Sequence, residues 1–179
     1  WTEAAHLTMT KLASTPKPVV AMINGAAVGA GRDLALCCDF RYASDKAKFK
    51  AGYTTMAYSP DAGSSWHLPR IIGLEQAKIF LFYDEAWTAN KALDVGMITG
   101  LFEANDLKTK VEEFTNHLST GPTFAYGKIK SLLDSATKNN FLAQLQQEKE
   151  AGLLCGRTED GKEAIKASIE KRKPKFVGK

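Results

Sequence analysis

The chain has 179 residues, 44% of them hydrophobic and 25% charged, an ordinary globular composition with length enough to bury a sizeable core. Its net charge of +4 sits at one end: the last nine residues, KRKPKFVGK, carry five bases, and without them 19 basic residues face 20 acidic ones, which excludes the basic face that nucleic acid requires. Cys37, Cys38 and Cys155 lack the spacing of a disulfide framework or a zinc site and suit a reducing compartment, and no apolar run approaches membrane-spanning length.

Residues 1–14 are predicted to form a helix with Leu7 and Leu12 facing inward, ended by the prolines of TPKP. VVAMI (19–23), short, apolar and rich in branched residues, reads as a buried strand. A glycine-rich turn follows in NGAAVGAG, with a helix starting near Gly31. FRYAS and AKFKAG read as two further strands joined by the polar Asp45-Lys46 turn. YTTMAYSPDAGSS is a loop, and WHLPRIIG a helical turn interrupted by Pro69. LEQAKIFLFYDEA is a helix, apolar around most of its circumference and so expected to be buried. TANKALDVG is another helix, closed by Gly96, and MITGLF a strand.

From Asp106 onward the pattern is helical throughout. Leu107, Val111, Phe114 and Leu118 form one stripe, Ile129, Leu132, Leu133 and Ala136 a second, Phe141 and Leu145 a third. Strands alternating with helices, then helices alone, predict an α/β body leading into a helical end. About four strands and an opening inside a helix predict the rear part of a larger domain, because a buried sheet of that size wants neighbours on its edge.

Two stretches carry candidate chemistry. The glycine turn lies between a strand and a helix start, where backbone N–H groups favour an anion. It does not meet G-x-G-x-x-G: Gly29 and Gly31 fit the first pair, but Leu34 holds the third place. Taken alone, its glycines serve either tight packing or an anion. In SPDAGSSW (59–66), Asp61 follows Pro60 and either bonds the turn backbone or moves a proton. Asp33 falls in the first turn of a helix, where a carboxylate is favourable in any case. His67 and His117 show no partner pattern, and Cys37 and Cys38 fall within a buried helix.

TPKPVVAMINGAAVGAGRDLALCCDFRYASDKAKF, SPDAGSSWHLPRIIG and EKRKPKF resemble, nearly end to end, the crotonase superfamily of enoyl-CoA hydratases and isomerases. GPTFAYGKIK is most similar to the ring-epoxide/oxepin-CoA isomerase branch of the phenylacetate pathway. The resemblance implies the C-terminal portion of a ClpP/crotonase-like α/β fold. Residues 1–105 would be the rear of the core, in β-β-α units, and 106–179 a helical trimerisation region. It implies an acyl-CoA thioester substrate, with coenzyme A present only as part of it and no cofactor or metal. Two backbone N–H groups would hold the thioester oxygen and stabilise an enolate, one of them that of Ala30, the other upstream of this chain.

Asp33 and Tyr53 match the places of the two glutamates of hydratases, and Tyr53, unable to act as a carboxylate base, becomes a substrate-pocket wall. Asp61 matches an aspartate of the isomerases. One carboxylate suffices for a 1,3-proton shift, in a pocket walled by Met56, Tyr58 and Trp66 that would raise its pKa. Lys171 matches a lysine that approaches the phosphate-bearing end of CoA, while Ser168 replaces the usual aromatic. The expected activity is that of an isomerase. The alternatives are a hydratase using Asp33, a dehalogenase with Asp61 as nucleophile, and a non-catalytic acyl-CoA-binding subunit. A homotrimer or homohexamer is implied, without nucleic-acid or membrane partners, in the cytoplasm or, in a eukaryote, the mitochondrial matrix or peroxisome.

Overall fold

The computed structural model describes residues 2–179, so Trp1, assigned above to the first helix, lies outside the described residues. The chain divides into two compact units, one running to Ala13 and resuming over Val19–Glu112, the other formed by Ser14–Pro18 with Glu113–Lys179.

The first unit opens with α1 (Thr2–Ala13). Leu7 is 57% exposed and does not face inward. The half-buried positions are Ala5, Met9, Leu12 and Ala13, an i, i+4, i+7, i+8 set that leaves Leu7 off the inner face. β1 (Val20–Ile23) and β2 (Ala26–Val28) follow one another but join different sheets. One sheet has the order β1-β3-β6, with β3 at Phe40–Ser44 and β6 at Gly100–Phe102, all parallel, Ile23 opposite Ala43 and Tyr42 opposite Gly100. The other has the order β2-β4-β5, with β4 (Lys48–Lys50) parallel to β2 and β5 (Trp87–Thr88) antiparallel to β4.

The described residues form six strands where the sequence suggests four, because β2 and β5 span three and two residues, too few for alternation to be read. The Asp45-Lys46 turn links its two strands without pairing them. Ala47 N–H donates to the Ser44 carbonyl at 2.9 Å and Lys46 N–H to Ser44 Oγ at 3.1 Å, turning a corner from one sheet to the other.

α2 (Ala30–Leu36), α3 (Ser64–Ile72), α4 (Leu74–Tyr83) and α5 (Ala89–Asp94) complete this unit. Ile23, Leu36, Phe49, Leu68, Phe80 and Met97 form its core, with fully buried alanines at 43, 47, 51, 89 and 92 where elements pass closely. Pro69 lies inside α3 without interrupting it. α4 is not buried as expected: only Ala77 and Phe80 are, while Phe82 and Tyr83 are 70% and 72% exposed. The helix meets the core along one i, i+3 edge, and an apolar circumference does not supply a second covering element. α5 is capped by Thr88 Oγ, which accepts from Lys91 N–H, and is closed at Gly96 (φ 78) as the sequence predicts.

α6 (Leu107–Ser119) buries Leu107 and Val111 of its predicted stripe. The second unit holds α7 (Thr123–Ala136), α8 (Phe141–Arg157) and α9 (Glu159–Ile169). Ile129, Leu133, Phe141 and Leu145, read above as stripes, are exposed. Gly127 passes so close to the Pro16 carbonyl oxygen that a Cβ there would collide with it. The basic tail folds back on α9. Asp160 accepts from Val177 N–H at 2.7 Å and Gly178 N–H at 3.0 Å, and Arg172 pairs with Glu163. Bonding to Arg172 and to Lys175 N–H holds the Glu163 carboxyl down at about 2. Among the described residues no helix is long and apolar enough to cross a membrane.

Candidate active site

Gly29 adopts a left-handed φ of 54°, a conformation glycine enters without steric cost, and caps α2. Its N–H donates to the Lys50 carbonyl at 3.3 Å, fastening the turn to the end of β4. Ala30 is therefore the first residue of α2, and its N–H is one of the first-turn donors with no carbonyl four residues behind it in the helix. Gly31 has no such constraint: an added Cβ would meet nothing within 4 Å.

One turn further on, the sequence Arg32-Asp33 is driven into the core. Arg32, Asp33, Tyr53 and Ser64 are 1%, 0%, 7% and 0% exposed. Asp33 Oδ1 accepts from Arg32 Nε at 3.0 Å, from Arg32 Nη2 and from Ser64 Oγ at 2.6 Å, while Oδ2 accepts from Tyr53 OH at 2.6 Å. Arg32 Nη2 also donates to Ser64 Oγ, and its guanidinium lies over the Phe80 ring at 5.1 Å and the Tyr53 ring at 5.7 Å. A buried charge is tolerated when it is paired and hydrogen-bonded, and both charges here are. Burial first, and the bond to Asp33 second, push the Tyr53 hydroxyl far above its ordinary pKa, so it serves as a neutral donor. Asp33 thus spends its acceptors on three neighbouring side chains.

Asp61 is the opposite case. It is exposed, on the loop between the 3₁₀ turn Thr54–Met56 and α3, and among the described residues its carboxylate accepts no hydrogen bond. The turn does not use the Asp61 side chain. Its backbone carbonyl, which can only accept, takes a bond from His6 Nε2 at 2.6 Å. Met56, Tyr58 and Trp66, expected as pocket walls, are exposed, and the Trp66 ring instead lies 3.4 Å from the Arg70 guanidinium carbon.

The structure thus brings Ala30, Asp33 and Tyr53 to one place and ties them through Ser64 to the helix that follows Asp61. Lys171 belongs to the second unit, where it is exposed and its N–H donates to the Ser168 carbonyl at 3.2 Å. Cys37 is buried at the end of α2, 3.6 Å from His67 Nε2. Burial first, then Cys38 and Asp33, push its thiol up to about 11. Ser64 and His6 were not legible as site residues. The one available signal was that Arg32 and Asp33 are the only charges between residues 25 and 38, a pair that would need partners if buried.

Residues 2–179 match the family model for enoyl-CoA hydratase/isomerase. The chain is 37% identical over 169 residues to a 1,2-epoxyphenylacetyl-CoA isomerase of Escherichia coli, covering 94% of this chain and 64% of that protein. It is 34% identical over 166 residues to a probable enoyl-CoA hydratase of Rhodobacter capsulatus, covering 93% and 65%. It therefore spans just under two thirds of the length of these relatives. Among solved structures, an enoyl-CoA hydratase from Bacillus anthracis superposes with a TM-score of 0.94 at 31% identity, over 99% of this chain and 69% of that one. A Pseudomonas aeruginosa protein superposes with a TM-score of 0.80 at 52% identity, over 83% and 63%.

Proposed function

The chain belongs to the enoyl-CoA hydratase/isomerase family and has the crotonase fold, and within that family we propose that it is an acyl-CoA isomerase whose proton carrier is Asp61. The Asp61 carboxylate removes a proton from the carbon beside the thioester carbonyl. The electron pair passes to the carbonyl oxygen, and the resulting enolate is stabilised by the Ala30 N–H together with a second backbone donor. Asp61 then returns the proton two carbons further along the acyl chain as the double bond moves toward the thioester. No water is consumed and the carboxylate is regenerated.

The observation that carries this reading is the contrast between two carboxylates. Asp33, on which a hydratase would draw, is fully buried and accepts from Arg32, Ser64 and Tyr53. Asp61 is exposed, with its carboxylate uncommitted among the described residues. Hydration needs one group to activate water and another to handle the second proton, whereas a proton shift needs a single carboxylate. The similarity to an Escherichia coli 1,2-epoxyphenylacetyl-CoA isomerase points the same way. Lys171 meets the phosphate-bearing end of CoA, and the protein works as a homotrimer or homohexamer.

The test is to incubate the intact protein with a 3-enoyl-CoA in deuterated water and weigh the product. The expected product is the 2-enoyl isomer, with no addition of water, and Asp61→Asn lowers kcat by about 10²–10⁴-fold while CoA binding persists. A 3-hydroxyacyl product, or an Asp61→Asn variant as active as the parent, overturns the reading. Thioester that binds but never reacts does so too, in favour of a non-catalytic subunit.

A further inference from the structure

We propose that Ser64 and Asp33 are positioning residues that hold the Asp61 loop in register with the Ala30 N–H, with Tyr53 locking the Asp33 carboxylate in place. This rests on the roles given above to Asp61 and Ala30. Ala30 and Asp33 share the first turn of α2, which Asp33 N–H closes by donating to the Gly29 carbonyl at 3.0 Å. Ser64 is the first residue of α3, three residues after Asp61. The bond from Ser64 Oγ to Asp33 Oδ1, 2.6 Å long, joins those two turns. Both side chains are 0% exposed, so water does not compete for the bond.

The carboxylate itself cannot swing. Tyr53 OH holds Oδ2 at 2.6 Å while Arg32 and Ser64 hold Oδ1. On its other side the loop is held at the Asp61 carbonyl oxygen by His6 Nε2. Asp61 is therefore fixed by its own backbone and again three residues later, and the second tie leads to the turn that carries Ala30. A proton shift through an enolate needs base and oxyanion donor in one relation throughout, and a displacement of about 1 Å costs on the order of 10²-fold in rate. The cluster moves no proton itself, since the Asp33 acceptors are occupied and Tyr53 is held neutral.

The test compares Ser64→Ala, Tyr53→Phe and Asp61→Asn in the intact protein, with a 3-enoyl-CoA as substrate, by kcat, KM, the pH profile of kcat and the unfolding midpoint. Ser64→Ala is expected to lower kcat by about 10–100-fold with KM within about twofold and the pH profile unchanged in shape. Tyr53→Phe gives a smaller fall in the same parameter and decides by the same criteria if Ser64→Ala does not fold. A folded Ser64→Ala with parental kcat, beside an inactive Asp61→Asn, refutes the positioning role and leaves the isomerase reading standing. A pH profile that loses a limb in Ser64→Ala also refutes it, because the cluster would then be titrating in the reaction. An Asp61→Asn variant with parental activity removes the isomerase reading and this proposal together.

Discussion

Replacing Asp33 with alanine removes the acceptor on which three buried groups depend. Arg32, 1% exposed, is left as an unpaired buried cation, and the hydroxyl protons of Ser64 and Tyr53 lose their partner. Breaking a buried ion pair from one side costs about 3–5 kcal/mol, and the two stranded hydroxyls add about 1 kcal/mol each. Asp33→Ala is therefore expected to lose about 5–7 kcal/mol, a large share of the roughly 5–15 kcal/mol that keeps a domain folded. With a urea slope of about 2 kcal/mol/M, the unfolding midpoint falls by about 2.5–3.5 M. The double variant Arg32→Met/Asp33→Leu removes both charges at similar volume and is expected within about 2 kcal/mol of the parent, on either side. Urea titration followed by circular dichroism measures all three proteins. If the single variant shifts the midpoint by less than about 0.5 M, or the double variant falls as far as the single, the buried charge is not what makes Asp33 costly to remove and the reasoning fails.

Gly127→Ala places a methyl against the Pro16 carbonyl oxygen, a backbone atom with little freedom to retreat. The helix-propensity gain of about 1 kcal/mol is outweighed and the melting temperature falls, whereas a rise would show that the close approach relaxes without cost. Cys37, its thiol pushed up to about 11 by burial first, is about 0.1% thiolate at pH 8 and should escape iodoacetamide in the folded protein but react on unfolding, as peptide mass mapping will report. Asp84 is expected to contribute to acid unfolding. Burial alone would raise its pKa, but the N–H groups of Gly52 (2.5 Å) and Thr55 (3.1 Å), with the Thr55 hydroxyl (2.9 Å), outweigh burial and lower it. Its stabilisation is therefore present above the ordinary carboxylate value of about 4 and is lost as pH falls through the lower folded value. Asp84→Asn should flatten the dependence of the unfolding midpoint on pH between about 2 and 5, and an unchanged slope would exclude Asp84 as a contributor.

The elements foreseen from the residues are those set by short-range effects. The strand at β1, the glycine turn before α2, the helix closed at Gly96 and the helical run from residue 107 onward all rest on torsional preference, capping and apolar spacing within a few neighbours. Ala30 and Asp61 were identifiable as candidates because their motifs are contiguous. Packing alone sends β3 and β4 into different sheets and leaves Leu74, Phe82 and Tyr83 of α4 exposed. It also has Asp33 held by Ser64, 31 residues away, and by Tyr53, 20 residues away. Periodicity says which face of an element is apolar, but not whether another element covers it. Likewise a carboxylate in the first turn of a helix reads the same in sequence whether it meets water or, as here, an arginine and two hydroxyls brought to it by packing.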